Sequence, residues 1–173
     1  MSALVIYESL YGNTRDVAEA IATGLGDAKV VSVQDAMSQV TKAELLVVGG
    51  PTHVHGLTSR RSRTAAVENA HGDVEPGAGE GAGLRDWLAE LPRVANAQAA
   101  AFDTRAHGPW ALTGSAAHGI ARRLRHHGYR LLATESFVVE HGEGPLGDGE
   151  LDRARAWGET LAASVSRVVP HPQ

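Results

Sequence analysis

Apolar residues follow two spacings along the chain, and their alternation predicts strands separated by helices. The runs Ala3–Tyr7 and Leu45–Val48 are continuously apolar, as expected of strands covered on both faces. Elsewhere apolar residues recur at helical spacing, for example at Ala117, Ile120 and Leu124. We expect strands at about 3–8, 29–33, 44–49, 97–102 and 130–139, and helices at 13–25, 35–42 (short and weak), 83–91, 115–127 and 149–168.

This order of elements predicts the fold class. Five strands alternating with helices predict an α/β protein with a parallel sheet, helices on both faces and right-handed crossovers, which is a three-layer α-β-α sandwich. The 173 residues suffice for one domain with a full core and are too few for two of ordinary size. We therefore expect a single domain over residues 1–173, with a frayed tail at 170–173.

Residues 50–82 interrupt the pattern and are predicted to be a long loop. The stretch 72–83 is rich in glycine and has no apolar periodicity, so we expect a flexible insertion at about 57–82. A mobile surface segment is the simpler interpretation, and a lid over a ligand is the alternative. Arg60, Arg61 and Arg63 predict a solvated turn, with contact to an acidic partner or a phosphorylated co-substrate as the alternative.

The loop after the first strand carries the clearest chemical signal. It reads Ser9-Leu10-Tyr11-Gly12-Asn13-Thr14 and leads directly into the first helix. Such a loop turns backbone N–H groups toward one point at a helix N-terminus, where the dipole favours an anion. Gly12 permits the bend, and the loop hydroxyls add donors. Because the loop has no lysine, it predicts a monophosphate held mostly by backbone; a simple helix cap at Asn13 or Thr14 is the alternative.

Charge and composition exclude several classes of protein. The net charge is −4 and no basic arm is present, so we expect no nucleic-acid partner. The absence of cysteine excludes disulfides and thiolate catalysis and fits a reducing compartment, so we expect a cytoplasmic protein. No apolar run approaches membrane-spanning length, and the residues before the first strand show no basic n-region or cleavage site, so we expect no membrane span and no targeting segment there.

The first loop and the strand–helix alternation together resemble the flavodoxin family, whose members bind flavin mononucleotide (FMN). The family's phosphate loop reads roughly [ST]-x-[ST]-G-x-[ST], and the matching residues are Ser9, Gly12, Asn13 and Thr14. Tyr11 stands where a small hydroxyl residue is usual. The resemblance implies a sheet of order 2-1-3-4-5 with the ligand outside the carboxyl ends of the strands, where the order reverses.

The resemblance also implies that two further loops close around the flavin ring. The second loop supplies Pro51, Thr52, His53, Val54, His55 and Gly56, and a backbone carbonyl near its end is expected to accept a hydrogen bond from N5 of the reduced flavin. The third loop supplies Asp103, Thr104, Arg105, Gly108 and Trp110 to the other ring edge. Many flavodoxins hold the ring between a tryptophan and a tyrosine, whereas these loops offer two histidines and one tryptophan.

Three other motifs are better explained without special chemistry. The GxGxxG match at 142–147 leaves too little chain for a following strand, so we interpret it as the loop before the last helix. His53 and His55 have no nearby carboxylate or cysteine, so we expect no metal site there. Ser115 lacks a G-x-S-x-G frame and is expected to cap the helix at 115–127.

The leading hypothesis is therefore an FMN-binding redox protein that carries electrons in one- or two-electron steps. Its partner would be a redox protein or a small-molecule acceptor, and no residue needs to act as an acid, base or nucleophile. One alternative is an NAD(P)H-dependent flavin or quinone reductase, with a second pocket built by residues 57–82. The other is a flavodoxin-fold binding or sensing module whose FMN binding is weak or lost.

Overall fold

The structure is a computed structural model, and it describes residues 2–26, 28–36, 43–53, 55–95, 97–108 and 114–166. Its strands are β1 (Ala3–Tyr7), β2 (Lys29–Ser32), β3 (Leu45–His53), β4 (Gly56–Leu57), β5 (Gln98–Ala106) and β6 (Arg130–Val139). Its helices are α1 (Asn13–Gly24), α2 (Val33–Ala36), α3 (Arg60–Glu68), α4 (Leu84–Glu90), α5 (Ala116–His126) and α6 (Glu150–Ser166). The remainder of the predicted weak helix at 37–42, the end of the last helix and the predicted frayed tail lie outside the described residues.

Five strands form a parallel sheet in the order β2-β1-β3-β5-β6. This confirms the order expected for the five predicted strands, with its reversal between β1 and β3. The sixth strand, β4, was not predicted: it pairs antiparallel with the end of β3, where Thr52 faces Leu57 and His53 faces Gly56. Strand β3 is also longer than expected, because it continues through Gly50 and Pro51 alongside β5.

Side chains of the central strands alternate between the two faces of the sheet. Leu4 and Ile6 of β1 pack in the core beneath α4 and α5, whereas Val5 packs in the core beneath α1 and α6. On this second face the ring of Phe102 lies under Gly49, where an added Cβ would come within 2.1 Å of it. Helices therefore cover both faces, which confirms the three-layer α-β-α arrangement.

Helices α1 and α6 meet at two glycines. A Cβ on Gly24 would lie 2.0 Å from the carbonyl oxygen of Arg155, and a Cβ on Gly158 would lie 2.3 Å from that of Ile21. The two backbones are thus in direct contact, which side chains larger than hydrogen would prevent. The contact fixes the position of α1, whose N-terminus follows the predicted phosphate loop.

The expectation of one long loop over 50–82 was wrong at α3. Ser59 caps this helix: its Oγ accepts from the N–H of Ser62 at 3.1 Å, and the Ser62 hydroxyl accepts from the N–H of Ser59 at 2.8 Å. The prediction of a solvated arginine turn was also wrong for Arg63, which is fully buried, whereas Arg60 and Arg61 are exposed.

Arg63 belongs to a buried polar network at the end of β1. Its Nη2 donates to the carbonyl of Gly81 at 2.9 Å, and its Nη1 lies 3.7 Å from Oε2 of Glu8, which is also buried. The Glu8 carboxylate accepts from the N–H of Leu84 at 2.7 Å and from the hydroxyl of Thr58. Buried charges require partners of this kind. Because these partners come from different elements, the network joins the end of β1 to α3 and to the start of α4.

Two minor predictions are confirmed. Ser115 is the N-cap of α5, with its Oγ accepting from the N–H of His118 at 3.3 Å. Residues 142–147 belong to the connection that precedes α6. Within the described ranges, no helix combines the length and apolar character that a membrane span requires.

Candidate functional site

A crevice of about 180 Å³ opens at the carboxyl ends of β1, β3 and β5, where the strand order reverses. Ten residues that the sequence predicted for the site line it: Ser9, Leu10, Tyr11, Asn13, Thr14, Pro51, Thr52, His53, Thr104 and Arg105. The structure thus brings together parts of all three predicted loops, at the place where doubly wound sheets bind ligands.

The first wall is the loop between β1 and α1. Gly12 has a φ of 90°, is the N-cap of α1, and donates its N–H to the Ser9 hydroxyl at 3.1 Å. Helix α1 has no side-chain cap, so the alternative of a simple cap at Asn13 or Thr14 was wrong. Within the described residues, the N–H groups of Tyr11, Asn13 and Thr14 have no backbone acceptor. They remain available to an anion at the positive end of the helix dipole.

Glycine is required at position 12 by its backbone conformation more than by space. An added Cβ would meet Oε1 of Glu75 at 3.3 Å and Nη2 of Arg15 at 3.4 Å, and neither of these side chains lines the crevice. The two side chains form an ion pair, and the N–H of Glu75 donates to the carbonyl of Leu10 at 2.8 Å. The glycine-rich segment is therefore packed against the first loop.

The unusual tyrosine of the first loop has a structural partner. The hydroxyl of Tyr11 donates to the carbonyl of Ala66 in α3 at 3.1 Å. Burial raises the pKa of this phenol, and the nearby Glu143 raises it further, so Tyr11 stays neutral near pH 7. Next to it, Nδ2 of Asn13 donates to the carbonyl of Glu143 at 2.9 Å. These bonds hold the loop between α3 and the segment before α6.

The second wall is the end of β3. The Thr52 hydroxyl donates to Oδ2 of Asp103 at 3.0 Å and accepts from the N–H of Ala116 at 2.8 Å, so its side chain is fixed. His53 is half-buried, and burial lowers its pKa more than the charge of Glu8 raises it. The imidazole is therefore neutral near pH 7 and adds no charge to the crevice.

The third wall is the end of β5. The hydroxyls of Thr104 and Thr14 lie 2.7 Å apart and are both buried, which joins this wall to the first loop. Arg105 brings a guanidinium to the crevice, and its Nη1 donates to the carbonyl of Gly108 at 2.9 Å. Gly108 therefore supports Arg105 and does not line the crevice, a placement that differs from its predicted role.

Asp103 also differs from its predicted placement. It is fully buried, and its Oδ2 accepts from the Ser115 hydroxyl at 2.7 Å and from the N–H of Ala117 at 2.9 Å, in addition to Thr52. The carboxylate therefore connects β5 to the β3 end and the start of α5, behind the crevice wall. Its charge is held by hydrogen bonds from both elements, so it acts as a support for the site.

The remaining predicted residues lie elsewhere. His55 and Gly56 form part of the β3–β4 hairpin that lines a second pocket, and neither lines the crevice. Val54 and Trp110 lie outside the described residues.

The other tryptophans belong to the core. Trp87 is a buried residue of α4, and Trp157 packs edge-on against Phe102 and Phe137. Among the described lining residues, Tyr11 and His53 are therefore the rings that the crevice offers.

Three lining residues were not predicted: Ala106, Val139 and Gly142. Val139 is the last residue of β6, and applying the rule of carboxyl ends to the fifth predicted strand would have found it. Gly142 lies in the loop that the sequence assigned only to a connecting role. In the parts of the chain that the structure describes, no group of three or more His, Cys, Asp or Glu residues is arranged to hold a metal ion.

Solved structures with the same architecture include several flavodoxins. An archaeal flavodoxin is 22% identical, with a TM-score of 0.62 over 96% of this chain and 99% of that chain. Oxidised Flavodoxin 1 from Bacillus cereus is 16% identical, with a TM-score of 0.63 over 98% and 100%. A flavodoxin, WrbA-like protein from Agrobacterium tumefaciens is 19% identical, with a TM-score of 0.58 over 96% and 98%. At these identities the similarity shows the fold alone.

The sequence itself carries the family assignment. No curated protein matches the chain. The family model described as Flavodoxin, however, matches residues 5–157, which include the last three residues of β1, the first loop and all the described walls of the crevice. The family implies binding of FMN, in agreement with the resemblance of the first loop. The chain belongs to the flavodoxin family.

Proposed function

We propose that this chain binds FMN non-covalently in the crevice and carries electrons between redox partners. The observation that carries the proposal is the set of N–H groups at Tyr11, Asn13 and Thr14 that have no backbone acceptor among the described residues and lie where the strand order reverses. Backbone amides at a helix N-terminus bind phosphate without a charged loop residue. Bound FMN would supply the redox chemistry, and the protein would supply position, access and electrostatics.

The chemistry of the donors fits a phosphate monoester at this end of the crevice. The Ser9 and Thr14 hydroxyls lie in the same loop as these amides, and both residues are buried, so they are shielded from competing water. Arg105 adds a positive charge on the facing wall. The network around Thr52 and Asp103 fixes the wall that would lie beside the flavin ring.

The neutral state of His53 matters for the ring end of the crevice. A neutral imidazole presents a flat surface without adding positive charge beside the flavin, so it would not stabilise the anionic reduced cofactor. Among the described residues that line the crevice, Arg105 is therefore the one that carries a positive charge. We expect the reduction potential of bound FMN to change when Arg105 is replaced by an uncharged residue. We expect no pH dependence of that potential above pH 7 from His53, because its imidazole is already neutral there.

The test is binding of FMN to the purified apoprotein, followed by flavin fluorescence and the visible spectrum. We expect saturable binding of FMN and much weaker binding of riboflavin, because riboflavin lacks the phosphate that the first loop would hold. Equal affinity for the two flavins would contradict the proposed role of the loop. A colourless protein that does not bind FMN would favour the binding or sensing module.

Gly12→Val tests the same loop with a matched control at Gly26. The two glycines have φ values of 90° and 86° at opposite ends of α1, so valine is strained to a similar degree at both. Left-handed backbone costs each variant about 1–2 kcal/mol of unfolding free energy. Only Gly12→Val is expected to lose FMN; equal retention of FMN by both variants would refute the loop assignment.

Measuring the steady-state rate of NADH or NADPH oxidation with a quinone present distinguishes the reductase alternative from the electron carrier. The donor pocket expected from residues 57–82 has no counterpart in the crevice, since none of its described lining residues comes from that segment. We therefore favour the electron carrier. Rapid turnover dependent on bound FMN would instead establish the reductase.

A further inference from the structure

A second pocket, of about 450 Å³, lies beside the β3–β4 hairpin and is lined by residues that do not line the crevice. The hairpin contributes His55, Gly56 and Leu57 to this pocket, whereas the residues just before them, including His53, face the crevice. Helix α5 and the start of α4 complete its walls. The family assignment gives this pocket no role.

Three arginines converge on the second pocket. Arg85 comes from α4, and Arg122 and Arg123 come from α5. Arg85 is anchored to the hairpin: its Nε donates to the carbonyl of Thr58 at 3.0 Å and its Nη2 to that of Leu57 at 2.6 Å. A guanidinium has five N–H donors, so most donors of this group remain available while its position is fixed.

The three pocket arginines share one electrostatic feature. Among the described residues, no carboxylate lies within ion-pair distance of any of them, whereas Arg15, Arg63 and Arg153 each form an ion pair with a glutamate or aspartate. Exposed arginines elsewhere, such as Arg60 and Arg125, are likewise without an ion pair among the described residues. What distinguishes the pocket is that three guanidinium groups without ion-pair partners line the same concave surface.

The cations also affect one another. Burial lowers the pKa of Arg123, and the charges of Arg85 and Arg122 lower it further. Such mutual repulsion is relieved when an anion binds between the charges. Asp103 accepts a hydrogen bond from the pocket residue Ser115, but it is fully buried and forms no ion pair with the three arginines.

We propose that this pocket binds the phosphate group of a small molecule. Arginine forks match phosphate oxygens in a bidentate manner, and an anchored guanidinium loses little freedom on binding. The concave shape, enclosed by a helix and a hairpin, suits a compact oxyanion better than the surface of a protein partner. The proposal does not depend on FMN binding, since no residue that the structure describes lines both pockets.

The probes are inorganic pyrophosphate and adenosine 2′,5′-bisphosphate, added to ¹⁵N-labelled protein at constant ionic strength. We expect saturable shifts of the amides of Gly56 and Gly119, with the FMN-loaded protein behaving like the apoprotein. Similar affinity for both probes would identify a free oxyanion site, and much tighter binding of the nucleotide would identify a nucleotide phosphate site. Either result supports the proposal.

The double variant Arg122→Gln, Arg123→Gln tests the source of the affinity. We expect it to weaken binding by at least about tenfold, because charge-assisted hydrogen bonds to phosphate are lost. The double variant Arg60→Gln, Arg61→Gln is the matched control: it removes the same two charges from exposed positions that do not line the pocket. Circular dichroism checks that all variants are folded.

Three results would overturn the proposal. The first is the absence of saturable shifts at Gly56 and Gly119 with either probe. The second is an equal loss of affinity in the control and in the Arg122→Gln, Arg123→Gln variant, since binding would then depend only on total charge. The third is binding of a polyglutamate peptide at these amides when neither phosphate probe binds, which would favour an acidic protein surface.

Discussion

Replacing the buried Arg63 by methionine tests the network that links β1 to α3 and α4. Methionine keeps the apolar stem and removes the guanidinium. The change leaves the Glu8 carboxylate, which is 1% exposed, without its cation and leaves the carbonyl of Gly81 without the donor at 2.9 Å. The hydrogen bonds from Leu84 and Thr58 to Glu8 remain but do not neutralise its charge.

The expected cost follows from this geometry. Removing one member of a buried ion pair typically costs about 3–5 kcal/mol, because the other charge stays buried. Proteins have unfolding free energies of roughly 5–15 kcal/mol, so a substantial fraction of the stability would be lost. For a chain of this length, the corresponding decrease in Tm is about 6–20 °C.

Urea unfolding of the apoprotein measures the effect, with Arg61→Met as the control on the exposed side of the same helix. The control is expected to change the unfolding free energy by less than about 0.5 kcal/mol. Adding Glu8→Gln to Arg63→Met should restore part of the loss, since the uncompensated charge disappears. Equal effects of Arg63→Met and Arg61→Met, or a double variant equal to the sum of its parts, would refute the reasoning.

Two further contacts can be tested in the same way. The N–H groups of His71 and then Gly72 donate to the Glu143 carboxylate and lower its pKa, so the contact is intact above the usual pKa near 4.5 and is lost as the pH falls through the lower pKa of the folded protein. Hydrogen-exchange protection of the Gly72 amide should therefore decrease only in that acidic range. The variant Glu143→Gln should reduce this protection already at pH 7. Gly114→Ala should lower the unfolding free energy by at least about 1–2 kcal/mol, because φ at this position is 75° and the new Cβ would lie 2.3 Å from the backbone of His55. Urea unfolding measures the effect, and unchanged stability would contradict that close approach.

Sequence reasoning succeeded where burial follows a simple period. The alternation of Leu4, Val5 and Ile6 between two cores is what a strand between two helical layers requires, and the apolar face of α5 has the spacing expected of a helix. The crevice was located by topology, because parallel strands place their carboxyl ends on one edge. This argument needs the order of the elements and no side-chain detail.

The sequence did not predict α3, for a physical reason. The helix reads RRSRTAAVE, and its one buried residue is Arg63, so it has no apolar face that a periodicity argument could detect. Arg63 is buried because Glu8, far away in sequence, neutralises it. Contacts of this kind depend on the folded arrangement of distant segments. The supporting roles of Asp103 and Gly108 escaped prediction for the same reason.

The glycine contact between α1 and α6 has a consequence for the opposite end of α1. Gly24 lies eleven residues from Asn13, which is about 16 Å along a helix. If α1 tilts about Gly24 by only 5°, its first amides move by about 1.4 Å, which is more than the range of donor–acceptor distances in a hydrogen bond. The position of Gly24 therefore sets that of the first amides of α1, so the proposed binding of an anion by the first loop depends partly on packing at the opposite end of the helix.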